Sequence, residues 1–149
     1  MQVISRSIFA AILFSMIAAA APLHAATVND FYLSLLKRGI EHINAGNNDL
    51  GASELKLAAF GLVDSVQLYQ TAQVYLAVAS QRLNREPQTR AAAIRVFTAE
   101  RIEQHYATLT LPETIRKEFE TLAPKMLTAA QWETLRNSKG EPASSTTKL

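Results

Sequence analysis

One stretch constrains the fold more than any other: Ser65-Val-Gln-Leu-Tyr-Gln-Thr-Ala-Gln-Val-Tyr-Leu-Ala-Val-Ala-Ser-Gln-Arg-Leu83. Val66, Tyr69, Ala72, Leu76, Ala79 and Leu83 recur at steps of three and four, the spacing of one helix face. Leu68, Tyr75 and Val78 form a second apolar side at the same spacing. A surface helix needs a single apolar stripe, whereas a helix with two is sandwiched between neighbours. The stretch therefore reads as a central helix with the rest of the domain packed around it.

The chain has 149 residues and no cysteine. Its start is set apart in composition. Arg6 is followed by the small and apolar run Ile8–Ala21, then Pro22 and Leu23-His-Ala-Ala26. This order of charge, apolar core and small residues predicts a secretory signal peptide over residues 1–25. The run is about 14 residues, short of the roughly 20 needed to span a bilayer. An uncleaved N-terminal anchor is the alternative. No Cys follows the run, which excludes a lipid-anchored lipoprotein. The expected location is the periplasm or the exterior, with membrane contact only through the leader.

Lys and Arg number 15 against 13 Asp and Glu, and the leader takes Arg6 with it. Near-neutrality argues against a nucleic-acid partner, which calls for a basic face. The absence of cysteine removes disulfides, thiol catalysis and thiolate metal sites together.

Taken in order, the remaining residues predict an all-α domain over 26–137, with about six helices in three antiparallel helical hairpins. Thr27-x-x-Asp30 resembles a capping box and opens a helix over about 29–45, closed by Gly46 as a left-handed C-cap. Asp49 is placed to cap a second helix that ends at Gly61. Asp64 or Ser65 caps the central helix, and Asn84-Arg-Glu-Pro87 ends it. Pro87 suits the first turn of a fourth helix reaching about Tyr106. Thr110-Leu-Pro-Glu113 and Thr128-Ala-Ala-Gln131 are capping boxes for a fifth and a sixth helix, the latter with Leu127 and Trp132 at the positions of a hydrophobic staple. Residues 138–149 carry no stripe and are expected to be disordered. No alternating run suggests a strand.

The first two pairs resemble tetratricopeptide repeats. Gly39, Gly46, Gly51, Leu55 and Ala58 fall at the small, turn, small, large and small positions of that family's pattern. Leu76, Ala77 and Asn84, then Ala92, Val96 and Ala99, repeat it if about three residues are inserted near Glu86-Pro87. Lys56-Leu-Ala-Ala-Phe-Gly-Leu-Val-Asp64 is similar to the repeat-ending segment of small exported bacterial proteins with degenerate tetratricopeptide-like units. Arg38 and His42 depart from the pattern, and the spacing exceeds the family period of about 34 residues. The resemblance covers about Phe31 to Ile102 and implies a solenoid or bundle of stacked pairs, with the third pair as a terminal cap. It also implies a concave groove lined by the first helix of each unit. The groove positions would be Thr71, Val78, Gln81 and Arg82 on the central helix. On the first helix they would be Ile40 and Ile43 or, slightly rotated, His42 and Asn44.

No catalytic constellation accompanies this pattern, and the chain reads as a non-enzyme. Ser65 and Ser80 lack a nucleophile-elbow context. The glycines form no phosphate loop, and Asn47-Asn-Asp49 lacks the spaced ligands of a calcium loop. His42 and His105 lack the i, i+4 pairing of a zinc helix and read as helix-end histidines. Tyr69 and Tyr75 read as core. The expected function is an exported protein–protein interaction module with a protein or peptide partner and no metal or cofactor. The alternative is a small-molecule or lipid carrier with an apolar cavity between helices.

The leader reading has a direct test. N-terminal sequencing of the exported protein should give Ala26 as the first residue, within one or two positions. Recovery of intact Met1 in the membrane fraction would instead identify an anchor.

Overall fold

A computed structural model of the chain describes residues 23–138, with side chains from Asp30 onward. The expected leader and the tail from residue 139 lie outside the described residues, save for Leu23–Ala25. Six α-helices follow one another: α1 (Leu23–Asn44), α2 (Asn48–Gly61), α3 (Val66–Arg82), α4 (Glu86–Ile102), α5 (Glu113–Met126) and α6 (Ala129–Asn137). Among the described residues there is no strand. A short 3-10 turn, Tyr106–Thr108, joins α4 to α5.

The central helix is central. From Ala72 to Ser80 every residue of α3 is buried, and Gln70 is buried with them. Helix α3 packs against α2, α4 and α5, with a smaller contact to α1. Helix α1 packs on α2, and α6 sits across α4 and α5. The fully buried side chains come from every layer: Ile43 of α1, Leu55 of α2, Val74 and Val78 of α3, Val96 of α4, Phe119 of α5 and Leu135 of α6.

Helices α1 and α2 approach closely through two glycines. A β-carbon added at Gly51 would lie 2.8 Å from the Gly39 carbonyl oxygen and 2.6 Å from Ile43 Cγ1. One added at Gly39 would lie 2.7 Å from Leu55 Cγ. Two glycines facing each other let the backbones meet. Gly46 ends the pair with φ +84°, the left-handed conformation expected of it, and Asn84 takes the same role after α3 with φ 55°. Both residue types tolerate that region.

Several expected boundaries move, each for a local reason. Helix α1 already runs at Leu23, so Thr27 lies inside it and starts nothing. The preceding Ala25-Ala26 are the strongest helix formers and carry the helix upstream. Asp49 stands in the first turn of α2 instead of at its cap, and there it pairs with Arg85 at 2.9 Å. Helix α4 stops at Ile102, short of Tyr106. Its buried Glu100 carboxylate accepts the backbone N–H groups of His105 (3.1 Å) and Tyr106 (2.8 Å), together with Gln70 Nε2 (2.8 Å). This pulls the chain off the helix axis into the 3-10 turn. Thr110 does not cap α5; Pro112 is the residue before the helix. The box would have required Leu111 to be helical immediately before a proline, which sterics disfavour.

The second box holds. Thr128 Oγ1 accepts from Gln131 N (3.3 Å) while Gln131 Oε1 accepts from Thr128 N (2.9 Å). Leu127 is buried and Trp132 packs against the core. Ser138 belongs to the fold and not to the tail: it is buried, and its Oγ donates to the Leu135 carbonyl at 2.9 Å.

The glycine contact gives a clear expectation. Ala in place of Gly51 gains about 1 kcal/mol of helix propensity but collides with backbone, and overpacking costs about 1–3 kcal/mol. Gly51→Ala should therefore lower stability in denaturant unfolding, while Ser53→Ala, on the exposed side of the same helix, should change it little.

Candidate functional site

The residues expected to line an inner groove divide between core and surface: Ile43 and Val78 are buried, whereas Asn44, Gln81 and Arg82 are exposed. Val78 is 0% exposed, enclosed by the helices packed on α3. Ile43 is equally buried. Thr71 is half-buried and donates its hydroxyl to the Gln67 carbonyl at 2.9 Å. Gln81 is exposed and borders a shallow cavity of about 360 Å³ against α5, with Lys117, Glu118 and Thr121.

Arg82 is taken up by structure. Its Nε and Nη2 donate to the two oxygens of Glu118 at 2.9 and 2.7 Å, and its Nη1 donates to the Ile43 carbonyl at 3.2 Å and to Asn48 Oδ1 at 3.3 Å. One guanidinium thus ties α1, α2, α3 and α5 together. Arg is suited to this because its fork matches a carboxylate bidentately while other N–H groups remain free. The side on which the sequence places a groove is where α5 docks.

The open surface lies elsewhere. Helices α2 and α4 flank α3 and leave a groove of about 740 Å³ between them. Its floor is the α3 row Tyr69, Gln73, Leu76 and Ser80. One wall is Lys56, Ala59 and Phe60 of α2, continued by Val63; the other is Pro87, Gln88, Ala91, Ala92 and Arg95 of α4. Alanines at 59, 91 and 92 leave the space between the walls unfilled. Phe60 is 77% exposed and Val63 60%, large apolar side chains left in water at the rim.

Two features of the groove are chemically pointed. The first is Gln73. Its side chain is on the floor, the residue is only 3% exposed, and its Oε1 has no hydrogen-bond partner among the described residues. Gln70, Glu54 and Glu100 each also bury one unpartnered oxygen. Those three use other atoms of the same side chain: Gln70 donates to the Val96 carbonyl and Glu100, and Glu54 pairs with Arg38 at 3.0 Å. Gln73 makes no side-chain bond among the described residues. Leaving such a group buried costs about 1–3 kcal/mol. The second feature is charge. Lys56 and Arg95 are the charged lining residues, one on each wall, both cationic. Neither forms an ion pair among the described residues, whereas Arg38, Arg82, Arg85, Arg90 and Arg116 do.

The histidines lie apart from the groove lining. His42 Nε2 is 3.7 Å from Glu54, and His105 Nε2 is 2.9 Å from Glu103. Among the described residues no three His, Asp or Glu side chains gather to hold a metal ion. Tyr75 is buried as expected, and burial pushes its hydroxyl pKa up. Tyr69, also read as core, is partly buried against the core and forms part of the groove floor as well. Sequence reasoning passed over Gln73, though a signal was present. Tyr69, Gln73, Leu76 and Ser80 are one helix row by spacing, and two of the four are polar on a helix otherwise built for burial.

Opposite stability effects should separate the two polar groups. Gln73→Leu removes an unpaired buried carbonyl and should raise stability by about 1 kcal/mol. Arg82→Ala leaves the partly buried Ile43 carbonyl and Glu118 without their donor and should lower it by about 1–2 kcal/mol. Urea unfolding measures both. Equal and negligible changes would mean that neither geometry holds in solution.

Comparison with protein-family models, curated proteins and solved structures finds no match for this chain, so its function has to be read from the groove itself.

Proposed function

We propose that the protein is an exported protein–protein interaction module and that the α2–α3–α4 groove holds a segment of its partner. The reading takes the leader over residues 1–25 as a secretion signal and places the mature domain in the periplasm or outside the cell. It takes α1–α2 and α3–α4 as antiparallel hairpins of degenerate tetratricopeptide-like type. The Gly39–Gly51 approach supports this, since small residues at those positions are what such pairing uses. The third pair, α5–α6, acts as the terminal cap, and Arg82–Glu118 secures it. Because α5 occupies the inner side, binding moves to the outer groove.

The observation that carries the proposal is Gln73: a buried, unpartnered carboxamide on the floor of a groove whose rim exposes Phe60. Polar groups left unpaired at a cost to stability are expected where a ligand completes them. Exposed aromatics beside a pocket are typical anchors of a protein interface. A hydrocarbon chain could cover Phe60 but would offer Gln73 no hydrogen bond, which favours a peptide over a carrier's cargo. No constellation in the groove suggests catalysis.

Site-specific photocrosslinking in the native envelope tests the proposal. A photoreactive residue at position 60 should capture a discrete partner, and one at position 81 should not. Phe60→Asp should abolish that partner's co-purification while changing stability by less than about 0.5 kcal/mol, as exposed substitutions do. Capture from position 81 alone would reject the groove.

A further inference from the structure

We infer that the groove is built for an extended peptide segment that is acidic, with an apolar side chain seated at Phe60 and a carboxylate drawn between Lys56 and Arg95. This rests on the interaction-module reading and adds the chemistry and backbone form of the bound segment. Three observations carry it, and each removes an alternative.

The first is the pairing chemistry of Gln73, whose Oε1 is enclosed and unpartnered among the described residues and meets a ligand when the side chain turns toward the groove. A carboxamide presents one acceptor oxygen and an N–H donor pair, complementary to a peptide's own N–H and C=O. A helical ligand satisfies those backbone groups internally and offers the floor nothing. An extended ligand keeps them free, which is why extended segments bind through main-chain hydrogen bonds. The second is length. Tyr69 to Ser80 spans about 16 Å of helix axis, the reach of about five extended residues. The third is charge. The lining contains Lys56 and Arg95 and no carboxylate. The chain as a whole carries a formal net charge of only +2, and the second cavity balances its lysines with Glu118, whereas this groove has no carboxylate in its lining. Two cations are far fewer than a nucleic-acid backbone requires. They are enough to select a segment carrying one or two Asp or Glu beside an apolar anchor, and to repel a basic one.

The test is selection followed by measurement. Random peptides of about ten residues displayed on phage are panned against the whole chain, and the enriched sequences are synthesised. The expected consensus contains Asp or Glu next to an aromatic or aliphatic residue, without the three-to-four-residue apolar spacing of a helix. Binding by fluorescence anisotropy should weaken about tenfold or more in the double variant Lys56→Glu, Arg95→Glu, and should weaken as salt rises. Gln73→Leu should also bind about tenfold more weakly although it unfolds at higher denaturant, a split that a purely structural role for Gln73 would not produce. Circular dichroism checks that each variant is folded. Enriched peptides without acidic residues, or unchanged affinity in the double variant, would overturn the acidic-segment inference; loss of binding in Phe60→Asp would then show that the groove still binds peptides. Peptides whose binding ignores Phe60→Asp as well, or no enrichment at all, would overturn both readings. Displacement of a selected peptide by dodecanoate, with loss of the Gln73→Leu effect, would overturn them in favour of a carrier.

Discussion

The structure depends on burying one helix on almost every side. Once α3 loses contact with water over Ala72–Ser80, each polar group it carries has to find a partner inside the protein or remain unpaired at a cost. Gln70 finds one: it donates to Val96 and Glu100, and Glu100 in turn gathers the backbone of the α4–α5 connection. That chain of bonds explains why α4 ends where it does and why α5 returns against α3. The same burial leaves Gln73 without a partner among the described residues, on the α3 row that floors the groove between α2 and α4. The polar pairing of the central helix and the position of the groove are two outcomes of one constraint.

Arg82 settles which side is closed. Its bonds to Glu118, Ile43 and Asn48 reach three other helices from the end of α3. A carboxylate pair at this exposure stabilises modestly by itself, but the bond to a backbone carbonyl fixes geometry as well as energy. With α5 held there, the row containing Val78 becomes core. The groove between α2 and α4 remains open because its walls are alanines and its rim keeps Phe60 and Val63 in water. Arg90, on the outer side of α4, shows the same habit of stitching elements: it donates to the Met126 carbonyl at 3.1 Å, joining α4 to the end of α5.

The helices themselves were legible, because a three-to-four-residue apolar step states which residues must be covered. The burial of Leu76, Ile43, Phe119 and Leu122 follows from that step alone. So do the left-handed turn at Gly46 and the reciprocal box at Thr128, since both are local geometries requiring particular residue types. Boundaries moved for local reasons that the apolar step does not record. At Ile102 the cause is Glu100, two residues back, whose buried carboxylate accepts the backbone N–H groups of His105 and Tyr106. At Thr110 the capping pattern was present but Pro112 overruled it through the residue before it. The site was the least legible part. Arg82 looks, by sequence, like a polar end of a helix, and only its neighbours show that its charge is spent. Gln73 looks like one more polar residue on a long helix, and only the absence of a partner makes it stand out.

By itself the sequence determined that this chain is helical and that Ser65–Leu83 lies at its centre. Both follow from periodicity, which acts over a few residues. The tertiary structure decided which face of the central helix is sealed and which is open. That choice rests on where α5 docks, and it is set by contacts between residues thirty or more positions apart: Arg82 holds Glu118 of α5, and Gln70 holds Glu100 at the end of α4, before the connection to α5. A local pattern cannot say which of two apolar sides a distant helix will cover, because both sides bury equally well until the ion pair and the buried carboxylate distinguish them.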